Sequence, residues 1–208
     1  MGKKIHELDA LANGDIALAT TLLAAKATGV SDAGKITLEQ LFTKDPAAAR
    51  AALGIPFPLV QRLYAVSGTE AQVNGNGFGH DNTIPQNNEG AAYGLDVPIT
   101  PKHASNIILL DVELNCSSGA AATVQVGLFV DNVANALRAW GVTIPNADYQ
   151  HTYRMRHFVV AGSTDLRTYK VRVGSSGNVF INRTNTQADL YNTVVTSSLL
   201  VEEFLPAS

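Results

Sequence analysis

The sequence predicts a mainly β protein, with a small helical N-terminal leader followed by an antiparallel, jelly-roll-like β-sandwich. Three observations predict it. Composition changes near Pro56–Pro58: the first 58 residues hold 13 Ala and only two aromatics, Phe42 and Phe57. From Leu59 onward apolar residues recur with period two, in short runs split by Gly, Asn and Ser. About eight to ten such runs follow one another at about 10–15-residue spacing, with no helical pattern between them. The expected organisation is therefore 1–58, a helical region with a proline-containing linker, and 59–208, a sandwich domain.

Within the leader, Ile5, Leu8 and Leu11 are spaced like one face of a short helix that Asn13-Gly14 would end. Asp15 can cap a second helix carrying Ile16, Leu18, Leu22 and Leu23, with Gly29 as its stop. A strand is the alternative there, because period does not settle so short an apolar run. After the turn Ser31-Asp32-Ala33-Gly34, the run Ile36 to Phe42, with Leu38 and Leu41, reads as a short helix with Thr37 as its cap. The clearest helix signal is Asp45-Pro46-Ala47-Ala48-Ala49-Arg50-Ala51-Ala52-Leu53-Gly54. Asp45 suits the cap, Pro46 the first helical position and Gly54 the stop. Such a helix buries only Leu53 and methyl groups, so it needs a partner surface. Pro56 and Pro58 forbid its continuation and predict a stiff linker.

In the second region, Val60, Tyr64 and Val66 open the period-two pattern, and Val73 to His80 is Gly- and Asn-rich and reads as a loop. Leu95, Val97 and Ile99 alternate, but Pro98 and Pro101 restrict that strand to an edge or an end. Ile108, Leu110, Val112, Leu114 and Cys116 form one apolar face, and Val124, Val126, Leu128 and Val130 another. Leu137 to Val142 reads as a short strand. Tyr153, Met155, His157 and Val159 alternate with Arg154 and Arg156, and Tyr169, Val171 and Val173 with Lys170 and Arg172. Val179 and Ile181, then Val195, Leu199 and Val201, complete the set.

Hydrophobic residues make up 46% and charged residues 16% of the chain, the balance of a folded protein. Ordinary domains carry roughly 25% charge, so the low value predicts surface hidden in subunit contacts. Residues 1–58 hold six basic and six acidic side chains, and residues 59–208 nine and twelve, which gives the net charge of −3. With no basic stripe, nucleic-acid binding lacks its electrostatic footprint. No run of about 18 apolar residues exists, so no membrane insertion is expected. Charges in Ile5-His6-Glu7-Leu8-Asp9 interrupt any signal-peptide core, which predicts synthesis in a cytoplasm and release by another route, such as lysis. The single Cys116 cannot form an intrachain disulfide and reads as a buried small hydrophobe.

Catalytic and metal signals are nearly absent, and no cofactor is expected. Gly75-Asn76-Gly77-Phe78-Gly79 lacks the Lys and Ser/Thr of a phosphate cradle, and no Gly-x-Ser-x-Gly elbow occurs. His151 and His157 share a strand face but lie ~20 Å apart at a rise of ~3.3 Å per residue, too far for one metal within one chain. A three-fold axis gathering copies of either residue is the alternative. Asp81, Asp96 and Asp131 are too scattered for a calcium loop. Asp111 and Glu113 share a face about 6–7 Å apart, but that face reads as solvated. Glu202 and Glu203 point to opposite sides and cannot flank one bond. If the strands bearing Arg154/Arg156 and Lys170/Arg172 pair, four cations crowd one surface, which reads first as a solvated outer face and otherwise as a contact for acidic groups of a neighbouring subunit or an anionic glycan. Phe129, Trp140, Phe180 and Tyr191 are candidate interface or sugar-stacking aromatics, with core or subunit contact the favoured reading, and Phe129 and Phe180 fall out of phase with their apolar neighbours.

Several stretches resemble bacteriophage virion appendage proteins of the short tail-fibre, head-fibre or decoration type. Ser31-Asp32-Ala33-Gly34-Lys35-Ile36-Thr37-Leu38-Glu39-Gln40-Leu41 is similar to a turn–Lys-Ile-Thr-Leu–helix segment near fibre N-termini. Asp45 to Gly54 resembles a tail-fibre leader segment. Ile99 to Asn106, Leu128 to Asp131, His157 to Thr164 and Tyr169 to Arg172 are similar to successive segments of small trimeric jelly-roll modules. The resemblance implies a structural virion protein rather than an enzyme. It implies a homotrimer whose N-terminus, through Ile5, Leu8, Leu11, Ile36, Leu38, Leu41 and Leu53, attaches to a capsid, portal or tail protein. The sandwich would trimerise, display itself on the particle and contact a host-surface glycan. The competing readings are a carbohydrate-binding module acting at a cell surface and, less favoured by the residues, a glycan depolymerase.

Overall fold

The computed structural model describes residues 59–206, apart from 76, 79–81 and 189. The leader positions Ile5, Leu8, Leu11, Ile36, Leu38, Leu41 and Leu53, and every helix expected before residue 59, lie outside the described residues.

Ten strands form the sandwich: β1 (Leu59–Ser67), β2 (Ala71–Asn74), β3 (Ala91–Ile99), β4 (Ile107–Ser118), β5 (Ala122–Val130), β6 (Arg138–Ile144), β7 (His151–Val160), β8 (Arg167–Ser175), β9 (Asn178–Ile181) and β10 (Ser197–Phe204). A single 3-10 turn, Leu190–Thr193, interrupts them. One sheet runs β1-β10-β4-β9-β2 with β7 on the far side of β4, and the other runs β3-β8-β5-β6. Every pairing is antiparallel. Strands β10 and β9 share one flank of β4 end to end, β10 along Ile107–Glu113 and β9 along Cys116–Ser118.

The alternation in the sequence decides which side chains face inward. Ile108, Leu110, Val112 and Leu114 of β4, Val124, Val126 and Leu128 of β5, and Val171 and Val173 of β8 are fully sealed between the sheets. Each such burial is worth about 1.5–3 kcal/mol against exposure. Pro98 lies on β3, an edge strand, where its missing N–H breaks no ladder. The inward row of β10 runs Leu199, Val201 and then Glu203, a fully buried carboxylate. Glu203 accepts hydrogen bonds from Gln61 Nε2 (2.5 Å), the Lys102 backbone N–H (2.7 Å) and Asn106 Nδ2 (2.6 Å). That network closes one end of the core, where an unpartnered charge would be prohibitive.

The segment from Val73 to His80 departs from the loop expectation. Its first residues belong to β2, which pairs with β9, and Phe78 then inserts against the outer face of the four-stranded sheet. The Phe78 and Phe129 rings lie 6.3 Å apart. Gly127 and Gly90 make the room: a Cβ on Gly127 would sit 2.8 Å from Phe129 Cε2, and one on Gly90 2.8 Å from Phe78 Cε1. Gln125 Nε2 donates to the Phe78 carbonyl (2.8 Å), fastening the segment down. Phe129 is therefore 1% exposed and reaches neither a subunit nor a receptor. Phe180, 4% exposed, lies beneath the Arg183 guanidinium (5.4 Å to the ring centroid) and is equally withdrawn. Both are out of phase because their outward faces are roofed by the chain itself.

The four cations do not share a surface. β7 pairs with β4, whereas β8 sits between β3 and β5 in the other sheet. Arg154 and Arg156 face out from the six-stranded sheet and pair with Glu113 (3.2 Å) and Asp111 (2.5 Å). Arg172 donates to the carbonyls of Glu89 (2.7 Å) and Gly90 (2.8 Å), and Lys170 lies opposite Asp96.

Candidate functional site

At the end of the sandwich where β4 and β9 finish and β7 begins, three chain segments enclose a cleft of about 370 Å³. Asn115 and Cys116 come from β4, Gln150, His151 and Thr152 from the start of β7, and Asn182, Arg183, Leu190, Tyr191 and Val195 from the connection between β9 and β10.

Its floor is a buried polar network built on Asn182, whose φ of +58° is tolerated by Asn better than by most residues. Asn182 Nδ2 donates to the Tyr93 hydroxyl (2.6 Å) and the Ser67 and Thr69 carbonyls (2.8 and 3.2 Å). Ser197 Oγ donates to Asn182 Oδ1 (2.8 Å), and Asn182 N–H to the Asn115 carbonyl (2.9 Å). One amide thus ties β1, β3, β4 and β10 to the end of β9. Burial outweighs these bonds and raises the Tyr93 phenol above its ordinary range.

The walls are held by loop-to-loop contacts. Asp148, in the β6–β7 loop, accepts from the Thr186 N–H and hydroxyl, both at 3.1 Å. Desolvation works against Asp148, but the Thr186 hydrogen bonds outweigh it and hold the carboxyl below the usual carboxylate range. The Arg183 carbonyl accepts from Ser117 Oγ (2.8 Å), and its guanidinium approaches Glu70 (3.8 Å) over the Phe180 ring. Thr152 Oγ1 donates to Asn115 Oδ1 (2.6 Å), whose own Nδ2 donates to the Thr196 carbonyl (2.5 Å).

At the lip stands Tyr191, 73% exposed, beside buried Leu190. Tyr191 (φ +48°, ψ +39°) and Asn192 (φ +59°, ψ +45°) are both left-handed. For a bulky aromatic that conformation is costly, of order 1–3 kcal/mol, and persists only where the surroundings impose it. Among the described residues, the side chains of Gln150, His151 and Tyr191 take no intrachain hydrogen bond. The cleft therefore offers an amide, an imidazole and a phenol beside an apolar patch of Leu190 and Val195, whereas the Arg183 guanidinium is already engaged by the Thr184 carbonyl and Glu70. Cys116 contributes no nucleophile: burial pushes its thiol up to about 12.

Of the interface and receptor candidates that fall among the described residues, only Tyr191 lines this cleft. Trp140, 62% exposed, lies on β6, away from it. His151 lines the cleft while His157 sits at the opposite end of β7, so the two do not meet. Among the described residues no group of three His, Cys, Asp or Glu could hold a metal. Asn115, Gln150, Thr152, Asn182 and Arg183 were not legible as a set, because they come from three segments joined only by strand pairing.

No family model matches the chain, and no curated protein sequence matches it. Solved structures with some likeness include one described as "CBM4 structure and function" (8% identity, 61% of this chain and 74% of that one, TM-score 0.31). Another is the enzymatically active domain of bacteriophage CBA120 tailspike protein 4 (14% identity, 71% of this chain, TM-score 0.22). This chain spans only 20% of that tailspike chain's length. A third is a carbohydrate-binding module from Cellvibrio mixtus lichenase 5A in complex with cellotriose (11% identity, 62% of this chain and 95% of that one, TM-score 0.27). Likenesses this distant assign the chain no ligand.

Proposed function

We propose that the sandwich binds a saccharide in the end cleft and is the display domain of a bacteriophage virion appendage, a homotrimer attached to the particle through its N-terminal region. The observation that carries the binding role is Tyr191, forced into left-handed backbone so that its ring stands in solvent at the mouth of a cleft rich in unengaged hydrogen-bonding groups. Sugars present this combination in reverse, an apolar ring face bordered by hydroxyls, and a cleft of this volume is ligand-sized. The virion role is supported by the fibre-like segments of the sequence. The jelly-roll reading is supported by the strand orders β1-β10-β4-β7 and β3-β8-β5-β6, two facing four-stranded antiparallel rows to which β2 and β9 are added. Trimerisation is supported by the outer face of the six-stranded sheet, where Tyr64 (71%), Phe158 (60%) and Val160 (56%) stand exposed. Neither the cleft nor the paired Asp111 and Glu113 offers an acid–base pair, so binding without turnover is the reading we adopt.

A glycan array of bacterial surface saccharides, followed by calorimetry on the hits, tests the binding role. Tyr191→Ala should weaken a hit about tenfold. No hit, or affinity indifferent to Tyr191, removes the cleft as a sugar site. Light scattering of the full chain tests the assembly: a monodisperse monomer ends the homotrimer reading.

A further inference from the structure

Along one side of the sandwich β6, the edge of one sheet, meets β7, the edge of the other, and the line between them is the side mouth of the core. The register fixes what lines that mouth. Arg138 and Trp140 lie opposite Leu128 and Val126 of β5, so they share the inward face of β6. Tyr153, Met155 and His157 lie opposite Leu114, Val112 and Leu110 of β4, so they share the inward face of β7. Instead of closing the core, Trp140 remains 62% exposed. The Arg138 side chain has no ion pair or hydrogen bond among the described residues. Tyr153 is 3% exposed, and its hydroxyl has no partner.

These groups share one deficiency. Guanidinium and phenol both donate, and no protein acceptor among the described residues serves either; none of the five lining side chains is a carboxylate. Arg138 lies near enough to act electrically on both β7 groups. Desolvation, then the Arg138 charge, holds the His157 imidazole below its usual range, while burial raises the Tyr153 phenol against the pull of Arg138.

We infer that the β6–β7 mouth is a second binding site, for a carboxylate-bearing saccharide, with the Trp140 indole under the sugar ring and the Arg138 guanidinium on its carboxylate. Stacking on an indole face needs only an apolar ring surface, whereas the fork of Arg138 selects a planar anion and gives the site its preference for acidic over neutral sugars. The site is separate from the end cleft and does not depend on saccharide binding there.

Trp140 is the chain's single tryptophan, so its fluorescence reports on this mouth directly. The full-length protein is titrated with oligoglucuronate, oligogalacturonate and oligosialic acid, each beside its carboxyl-reduced counterpart. At least one acidic probe should shift the emission and bind about tenfold or more tighter than its reduced form. Arg138→Gln should abolish that ratio while leaving weak binding of both forms, and Arg138→Lys should restore part of it. In calorimetry Trp140→Ala should lose the acidic probe, with circular dichroism confirming an intact fold, and Tyr191→Ala should leave it unchanged. No shift with any of the three probes overturns the site, as does equal affinity for acidic and reduced forms. If Tyr191→Ala alone removes binding, the sugar sits in the end cleft and the mouth is only an edge of the core.

Discussion

The outer faces of the two sheets are built from the same alternation and end in opposite conditions. On the four-stranded sheet the chain covers its own face: Phe78 lies on Phe129 over Gly127, and Gln125 and Arg172 fasten the covering segment by its carbonyls. On the six-stranded sheet the face over β1, β10, β4 and β7 stays open, with Arg62–Glu202, Arg154–Glu113 and Arg156–Asp111 aligned across neighbouring strands and Phe158, Val160 and Tyr64 exposed between them. An outward position is thus not a solvent position. What lies on it depends on whether a loop has room to settle, and here Gly127 and Gly90 supply that room.

The largest test of this contrast is a pair of matched truncations. Phe78→Ala should cost about 3–5 kcal/mol in urea unfolding, as a buried ring does, while Phe158→Ala, from the open face, should leave the monomeric fold's stability within about 0.5 kcal/mol. Comparable losses would erase the distinction between the faces. Gly127→Val comes next. Its side chain enters where a Cβ already meets Phe129 and Phe78, and overpacking should cost about 1–3 kcal/mol, partly relieved in the double variant with Phe78→Ala.

A smaller effect is expected from pH, at the side edge where the faces meet. His157 has a folded-state pKa below its unfolded value, through desolvation first and the Arg138 charge second. Its contribution is therefore present above about pH 6.5 and is lost as pH falls below it. Chemical denaturation at pH 7.5 and 5.5 should show the loss, and His157→Gln should flatten it. The smallest effect belongs to the open face: Arg156→Met should barely move stability, because the Arg156 guanidinium stands mostly in solvent, where its attraction to Asp111 is screened. A large loss would mean that the ion pairs hold that face as firmly as Phe78 holds the other.

Much of the fold was legible because alternation is a local property. Ile108 to Cys116 and Val124 to Val130 read as apolar faces from the sequence alone, and Pro98 marked an edge strand before any partner was known. Phe129 and Phe180 show the limit. Their phase pointed outward correctly, but exposure did not follow, since Phe78 and Arg183 arrive from distant segments. Arg154/Arg156 and Lys170/Arg172 looked alike in sequence and lie on different sheets, because the choice of neighbouring strand is made by crossovers between sheets.

By itself, then, the sequence determined a β-sandwich, the inward faces of its main strands and the change of composition at Pro56–Pro58, for these follow from side-chain period and backbone chemistry within a few residues. Only the tertiary structure decided which faces are covered, that Glu203 is buried among three donors, and that a cleft and a side mouth gather residues from separate segments. Those outcomes rest on strand neighbours and loop paths, which are set by packing over the whole domain and leave no mark in any single stretch of chain.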